Sequence, residues 1–133
     1  MVLLNIDDGA EDLDFFFRAV KTVNPFAKCL LARNAKEALH LLKDALMPDF
    51  IFLDIRMPLM DGKTVLTELR KNKRLKSVTV IMYSTTINPR EVDEYAELGA
   101  NQFLNKFSDF KSLCDALRSF LIRENAKASP VIR

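Results

Sequence analysis

The sequence has 133 residues, 49% of them hydrophobic, with a formal net charge of +2; a chain of that length makes one domain and buries roughly two thirds of its unfolded surface. So slight a positive balance argues against nucleic acid as a partner, and the basic run Lys71-Asn72-Lys73-Arg74 with Lys76 reads as a solvated helix end. Cys29 and Cys114 stand alone and read as small buried hydrophobes in a reducing compartment. No apolar run approaches the roughly 20 residues of a membrane span and nothing resembles a signal peptide, which predicts a cytoplasmic chain without membrane contact.

The first strand is expected over Val2-Leu3-Leu4-Asn5-Ile6 and ends on Asp7 and Asp8; Asn5, a polar residue inside it, has no explanation at this level. Asp7-Asp8-Gly9-Ala10 opens a helix whose Leu13, Phe16, Phe17 and Val20 recur at i, i+3, i+4 and i+7, with Glu11 and Asp12 suiting its positive end. Pro25 follows, and Phe26 to Leu31 form the second strand. Asn34-Ala35-Lys36-Glu37 has the form of a capping box, with Ala38, Leu39, Leu42 and Leu46 as the buried stripe and Pro48 as the stop. His40, the only histidine, has no second nitrogen or thiol ligand in view and reads as structural or solvent-facing.

Phe50-Ile51-Phe52-Leu53 is four consecutive apolar residues, a strand buried on both faces. It ends on a carboxylate, Asp54. The next helix starts near Asp61-Gly62 and presents Val65, Leu66 and Leu69 to the sheet. Val78 to Tyr83 form the fourth strand, ending on Ser84-Thr85-Thr86. Asn88-Pro89-Arg90-Glu91 combines a cap residue, a proline where its missing amide costs nothing and a glutamate at the third position. Gly99 ends that helix, Asn101 to Asn105 form a fifth strand ending on Lys106, and Ser108-Asp109 starts a last helix with Phe110, Leu113, Cys114, Leu117 and Leu121 on one face. Met57, Met60 and Met82 read as loop and core packing. Strand and helix alternate five times, which implies parallel βαβ units and an α/β sheet covered by helices on both faces. The carboxyl ends of such strands form a functional rim, which would gather the acids, the hydroxyl and the lysine on one edge.

Paired acids after the first strand, an acid followed by Met57-Pro58 and Asp61-Gly62 after the third, a hydroxyl after the fourth and a lysine after the fifth resemble the receiver domain of two-component response regulators. The resemblance spans about Val2 to Glu124. It implies a flavodoxin-like, doubly wound (βα)5 fold with strand order 2-1-3-4-5. The resemblance gives a receiver domain over 1–124, and residues 125–133 read as a short polar tail, with no output domain expected. With strands 1 and 3 adjacent, Asp7, Asp8 and Asp54 converge, and two such charges 4 Å apart repel by about 4 kcal/mol at an effective dielectric of 20. Mg²⁺ suits that oxygen donor set; by resemblance Asp8 and Asp54 ligate it directly, Asp7 largely through water, and the Arg56 backbone carbonyl completes the set.

The resemblance makes Asp54 the phosphoacceptor, with Lys106 and Ser84 contacting phosphoryl oxygens, and makes Ser84 and Phe103 the pair that moves on phosphorylation. The donor would be a sensor histidine kinase or a histidine phosphotransfer protein. The fourth helix, fifth strand and fifth helix would meet a downstream protein or a phosphorylation-dependent dimer partner. Self-phosphorylation from small donors and autodephosphorylation are expected, turnover of an external substrate is not. Aspartyl phosphatases need a second acid two residues on, where this chain has Arg56. A flavodoxin-type binder should have Gly, Ser and Thr after its first strand, where Asp7-Asp8 would repel phosphate. The remaining alternative is a degenerate receiver acting as an unphosphorylated scaffold. Two departures stand out. Phe107 replaces the proline usual after the lysine, which predicts a trans Lys106-Phe107 bond, because a non-proline cis bond costs about 2.5 to 4 kcal/mol. Arg56 puts a cation at the mouth of the site and is expected to alter the lifetime of the aspartyl phosphate.

Overall fold

The computed structural model describes residues 1–43, 47–57 and 61–128, with side chains as far as Ile122. Five strands, β1 (Val2–Ile6), β2 (Lys28–Ala32), β3 (Phe50–Leu53), β4 (Thr79–Ser84) and β5 (Gln102–Asn105), alternate with five helices. These are α1 (Ala10–Val23), α2 (Ala35–Leu41), α3 (Gly62–Lys71), α4 (Pro89–Glu97) and α5 (Phe110–Ala128), and a short 3-10 turn follows α3 over Lys73–Leu75. All strand pairs are parallel and the sheet order is β2-β1-β3-β4-β5, as the resemblance implied.

Alternation along each strand divides the core into two layers. Leu4, Ile6, Ile51, Leu53, Val80 and Met82 meet the buried faces of α2, α3 and α4, while Leu3, Phe50, Phe52, Ile81 and Tyr83 meet α1 and α5. The second layer is aromatic: Phe16 packs on Phe52 with centroids 4.8 Å apart, and Phe52 meets Tyr83 and Phe120 edge to face at 5.9 and 6.0 Å. Contacts of that geometry add about 0.5–1.5 kcal/mol each beyond their buried area. The predicted stripes of α1, α3 and α5 are buried in this way, except that Phe17 and Phe110 are only half-buried.

Several expectations need correction. Phe26 does not begin β2; it is 95% exposed in a turn where Asn24 accepts from the Phe26 and Ala27 amides, so pairing starts two residues later. Leu39 is 37% exposed rather than buried, because α2 is short and rests mainly on Ala35 and Ala38. Leu46, the last residue expected in that stripe, lies outside the described residues, as do Pro58 and Met60. Only half of the α2 capping box forms: Asn34 accepts from the Glu37 amide at 2.8 Å, but Glu37 turns back to the Arg33 amide at 2.7 Å. α4 has both halves, with Pro89 at its first position. α5 continues through Ala128, past the boundary expected at 124, since Glu124-Asn125-Ala126-Lys127-Ala128 contains no helix breaker. No cis peptide occurs among the described residues, so Lys106-Phe107 is trans as expected. No described helix is long and apolar enough to cross a membrane.

Candidate functional site

The parallel ladders extend one residue beyond β1 and β3. The Asp7 amide donates to the Ala32 carbonyl and the Asp54 amide to the Ile6 carbonyl, both at 3.0 Å, which fixes the two aspartates side by side at the carboxyl edge of the sheet. Asp7 and Asp54 are buried and Asp8 is exposed at the rim. One carboxylate oxygen from each of the three falls within 4.8 Å of the others. Gly9 and Arg56 help to hold them: the Gly9 amide donates to Asp7 Oδ1 at 2.9 Å and the Arg56 amide to Asp54 Oδ1 at 3.0 Å.

Lys106 enters from the end of β5. Its Nζ lies 2.6 Å from Asp7 Oδ2, 2.9 Å from Asp12 Oδ2 and 3.4 Å from Asp54 Oδ2, and 5.7 Å above the Tyr83 ring. Burial alone would lower the pKa of this ammonium; the hydrogen bonds to Asp7 and Asp12 and the charges of Asp7 and Asp54 outweigh it and hold the group protonated above the ordinary lysine range. Asp7 is pushed the unfavourable way, above the usual carboxylate range, because burial outweighs the help of Lys106 and the Gly9 amide. Four aspartates around one lysine leave a formal excess of three negative charges.

Asp12 is the site residue that sequence reasoning missed, having been placed only as an acid in the first turn of α1. The missed signal is its position in the first turn directly after the Asp7-Asp8 loop, which aims a carboxylate back at the pocket. Ser84, at the end of β4, gives its carbonyl to the Lys106 amide at 2.9 Å, while its hydroxyl is buried and finds no hydrogen-bond partner among the described residues. Phe103 is half-buried beside the α2–α4 layer, paired with Met82 across the sheet and therefore on the same face as Ser84. The Arg56 side chain points away from the pocket, to Glu91 and Thr86. His40 is exposed on α2, away from this edge.

The sequence profile of the response regulator receiver domain matches residues 3–118. The chain belongs to the response regulator receiver family. Among its relatives, Response regulator Rcp1 of Synechocystis is 28% identical over 84% of this chain and 80% of its own length. Sensor histidine kinase CheAY of Helicobacter pylori is 33% identical over 79% of this chain but only 13% of that much longer protein. Among solved structures similar to it, the phosphorylated cyanobacterial phytochrome response regulator RcpA superposes with a TM-score of 0.80 at 24% identity, covering 98% of this chain and 95% of that one. The Mn²⁺-bound form of Rcp1 superposes with a TM-score of 0.75 at 26% identity, over 90% of each chain. The chain is thus a receiver domain of two-component signalling, a family of signalling modules that are generally not enzymes acting on external substrates. The acidic pocket occupies the carboxyl edge of its sheet.

Proposed function

We propose that this receiver accepts a phosphoryl group on Asp54 from a phosphohistidine of a sensor histidine kinase or histidine phosphotransfer protein, and signals by phosphorylation-dependent binding of a protein to α4, β5 and α5. The supporting observation is a buried Asp54 at the end of β3 with a lysine ammonium 3.4 Å away and two further aspartates grouped with it. An oxygen of Asp54 attacks phosphorus in line while the P–N bond of the donor breaks and its electron pair leaves with the imidazole, giving an aspartyl phosphate. Such a transfer depends on position and on neutralising charge at the equatorial oxygens. Lys106, within reach of Asp54, supplies one positive contact; the unpartnered Ser84 hydroxyl is available to donate to another oxygen.

The donor set around Asp54 contains only hard carboxylate oxygens, which fits Mg²⁺ and not a thiolate- or imidazole-seeking metal. Asp8 and Asp54 would ligate the ion directly, with Asp7 through water and the Arg56 carbonyl completing the protein share. When bound, the ion supplies charge neutralisation of the carboxylates and the phosphoryl oxygens. Movement of Ser84 toward the phosphoryl group, with Phe103 turning inward on the same face of the sheet, would carry the change to the α4–β5–α5 surface.

Incubation with Mg²⁺ and beryllofluoride or acetyl phosphate, followed by intact mass and two-dimensional amide spectra, tests this reading. A single adduct that is lost in Asp54→Ala is expected. A wild-type protein that takes up neither reagent, with no amide shifts, would refute it. Arg56→Ala is expected to change the rate at which the adduct hydrolyses, and equal rates for the two proteins would remove Arg56 from that role.

A further inference from the structure

Arg56 faces two ways. Its amide donates to the Asp54 carboxylate, and its guanidinium reaches out of the pocket to α4, with Nη1 2.7 Å from Glu91 Oε2 and Nη2 2.8 Å from Glu91 Oε1. Nη2 also donates to the Thr86 carbonyl at 3.0 Å. One residue therefore joins the phosphoacceptor, the loop after β4 and the first turn of α4. Glu91 is also the third residue of the α4 capping box, accepting from the Asn88 amide at 3.1 Å while Asn88 accepts from the Glu91 amide at 2.9 Å. The pair differs from an ordinary surface ion pair: it is a two-pronged guanidinium–carboxylate fork, and the Glu91 side chain is only 14% exposed. Lys63 and Glu94, 2.7 Å apart, add a second link to α4, this one from α3, one turn along. Ser84, two residues before the tethered Thr86, holds its buried hydroxyl without a hydrogen-bond partner among the described residues.

We infer that the Arg56–Glu91 pair is a positioning clamp on the loop between β4 and α4: by fixing Thr86 it sets the resting place of Ser84, so loading of Asp54 must draw that loop in against the clamp. This rests on Asp54 being the phosphoacceptor. Arg56 acts here through the loop and not on the reacting atoms, since its guanidinium is bonded to Glu91 and Thr86 and only its amide meets Asp54. A receiver held in its resting form binds an activating ligand with an affinity reduced by the fraction of molecules that are competent, so loosening the clamp should raise that affinity.

Glu91→Gln separates the two roles of Glu91, because glutamine can take the same place in the capping box but cannot form the ion pair. In the full chain with Mg²⁺, the apparent affinity for beryllofluoride is expected to rise three- to tenfold. The Ser84, Thr85 and Thr86 amide signals should already move in the ligand-free variant. Arg56→Lys, which loses the fork and keeps the charge, should fall between wild type and Glu91→Gln. Asn88→Ala, which weakens only the cap, should leave the affinity within twofold of wild type. The clamp is refuted if Glu91→Gln binds within twofold of wild type with its loop signals unmoved, or if Asn88→Ala reproduces the effect of Glu91→Gln. A wild type that takes up no beryllofluoride would instead refute the phosphoacceptor reading, and the ligand-free loop signals would still judge the clamp.

Discussion

At Lys106 one ammonium answers the carboxylates of Asp7, Asp12 and Asp54, and Asp7 is only 1% exposed. Removing one partner of a buried ion pair leaves an uncompensated charge at a cost of about 3–5 kcal/mol. Lys106→Ala without metal should lose stability of about that lower figure in urea unfolding, and a loss below about 1 kcal/mol would show that the pocket is neutralised some other way. Because the lysine pKa is raised by folding, its contribution is intact below the ordinary lysine value of about 10.4 and fades as pH climbs through the higher folded value. Asn5 poses the opposite problem. It is fully buried in the aromatic layer, opposite Phe52, and neither its amide nitrogen nor its oxygen has a partner among the described residues. An unsatisfied buried group costs about 1–3 kcal/mol, so Asn5→Leu, of similar shape, is expected to raise stability in urea unfolding by about that amount; a loss would show that the amide has a partner that matters. Asp54, Lys106, Asp7 and Asp8 were legible in the sequence because strand ends bring them to one edge. Asp12 was not, because its carboxylate joins the site only through the angle at which α1 leaves Gly9.

Among the helices, α3 starts against the backbone of Asp54, and its first residue allows it to. A Cβ at Gly62 would come within 3.1 Å of the Ile55 Cα, 3.1 Å of the Tyr95 hydroxyl oxygen and 3.2 Å of the Asp54 carbonyl. Two of those neighbours are backbone and cannot step aside without moving Asp54. Gly62→Ala should therefore destabilise by about 1–3 kcal/mol, as overpacking does, although alanine is the better helix former at an open position; a more stable variant in urea unfolding would show that α3 can retreat. The bounds of the elements were legible where a side chain closes a turn locally. Asn88, Pro89 and Glu91 start α4 where the sequence says, and Asp61 caps α3 by accepting from the Thr64 amide at 2.8 Å. They were misread where a local bond competes with a pattern: the Asn24 turn takes Phe26 out of β2, and Arg33 takes Glu37 from the α2 cap.

At the scale of the molecule, alternation of strands and helices was enough to predict a parallel sheet with two covered faces. It could not give the order of the strands, since every βαβ unit reads alike whichever side it adds to; the order came from the motif resemblance. That order sets β1 beside β3 and concentrates the acids. A folded state with such a cluster gains from any ligand that neutralises it and that the unfolded chain does not bind. Mg²⁺ at 100 times its dissociation constant should stabilise the whole domain by about 2.7 kcal/mol, read as a shift in the urea midpoint against chelator, and Asp8→Asn should remove most of the shift. An unchanged midpoint for wild type would argue that the cluster does not take the ion. The placement of the ring systems carries a practical corollary. There is no tryptophan, so ultraviolet emission must come from two tyrosines. Tyr83 lies beneath the Lys106 ammonium, and Tyr95, its phenol pushed up to about 12 by burial and then by nearby acids, abuts Gly62 behind the Asp54 carbonyl. The domain thus carries its own pair of optical probes, one under the Lys106 ammonium and one packed against the start of α3, and its intrinsic fluorescence should follow occupancy without any added label.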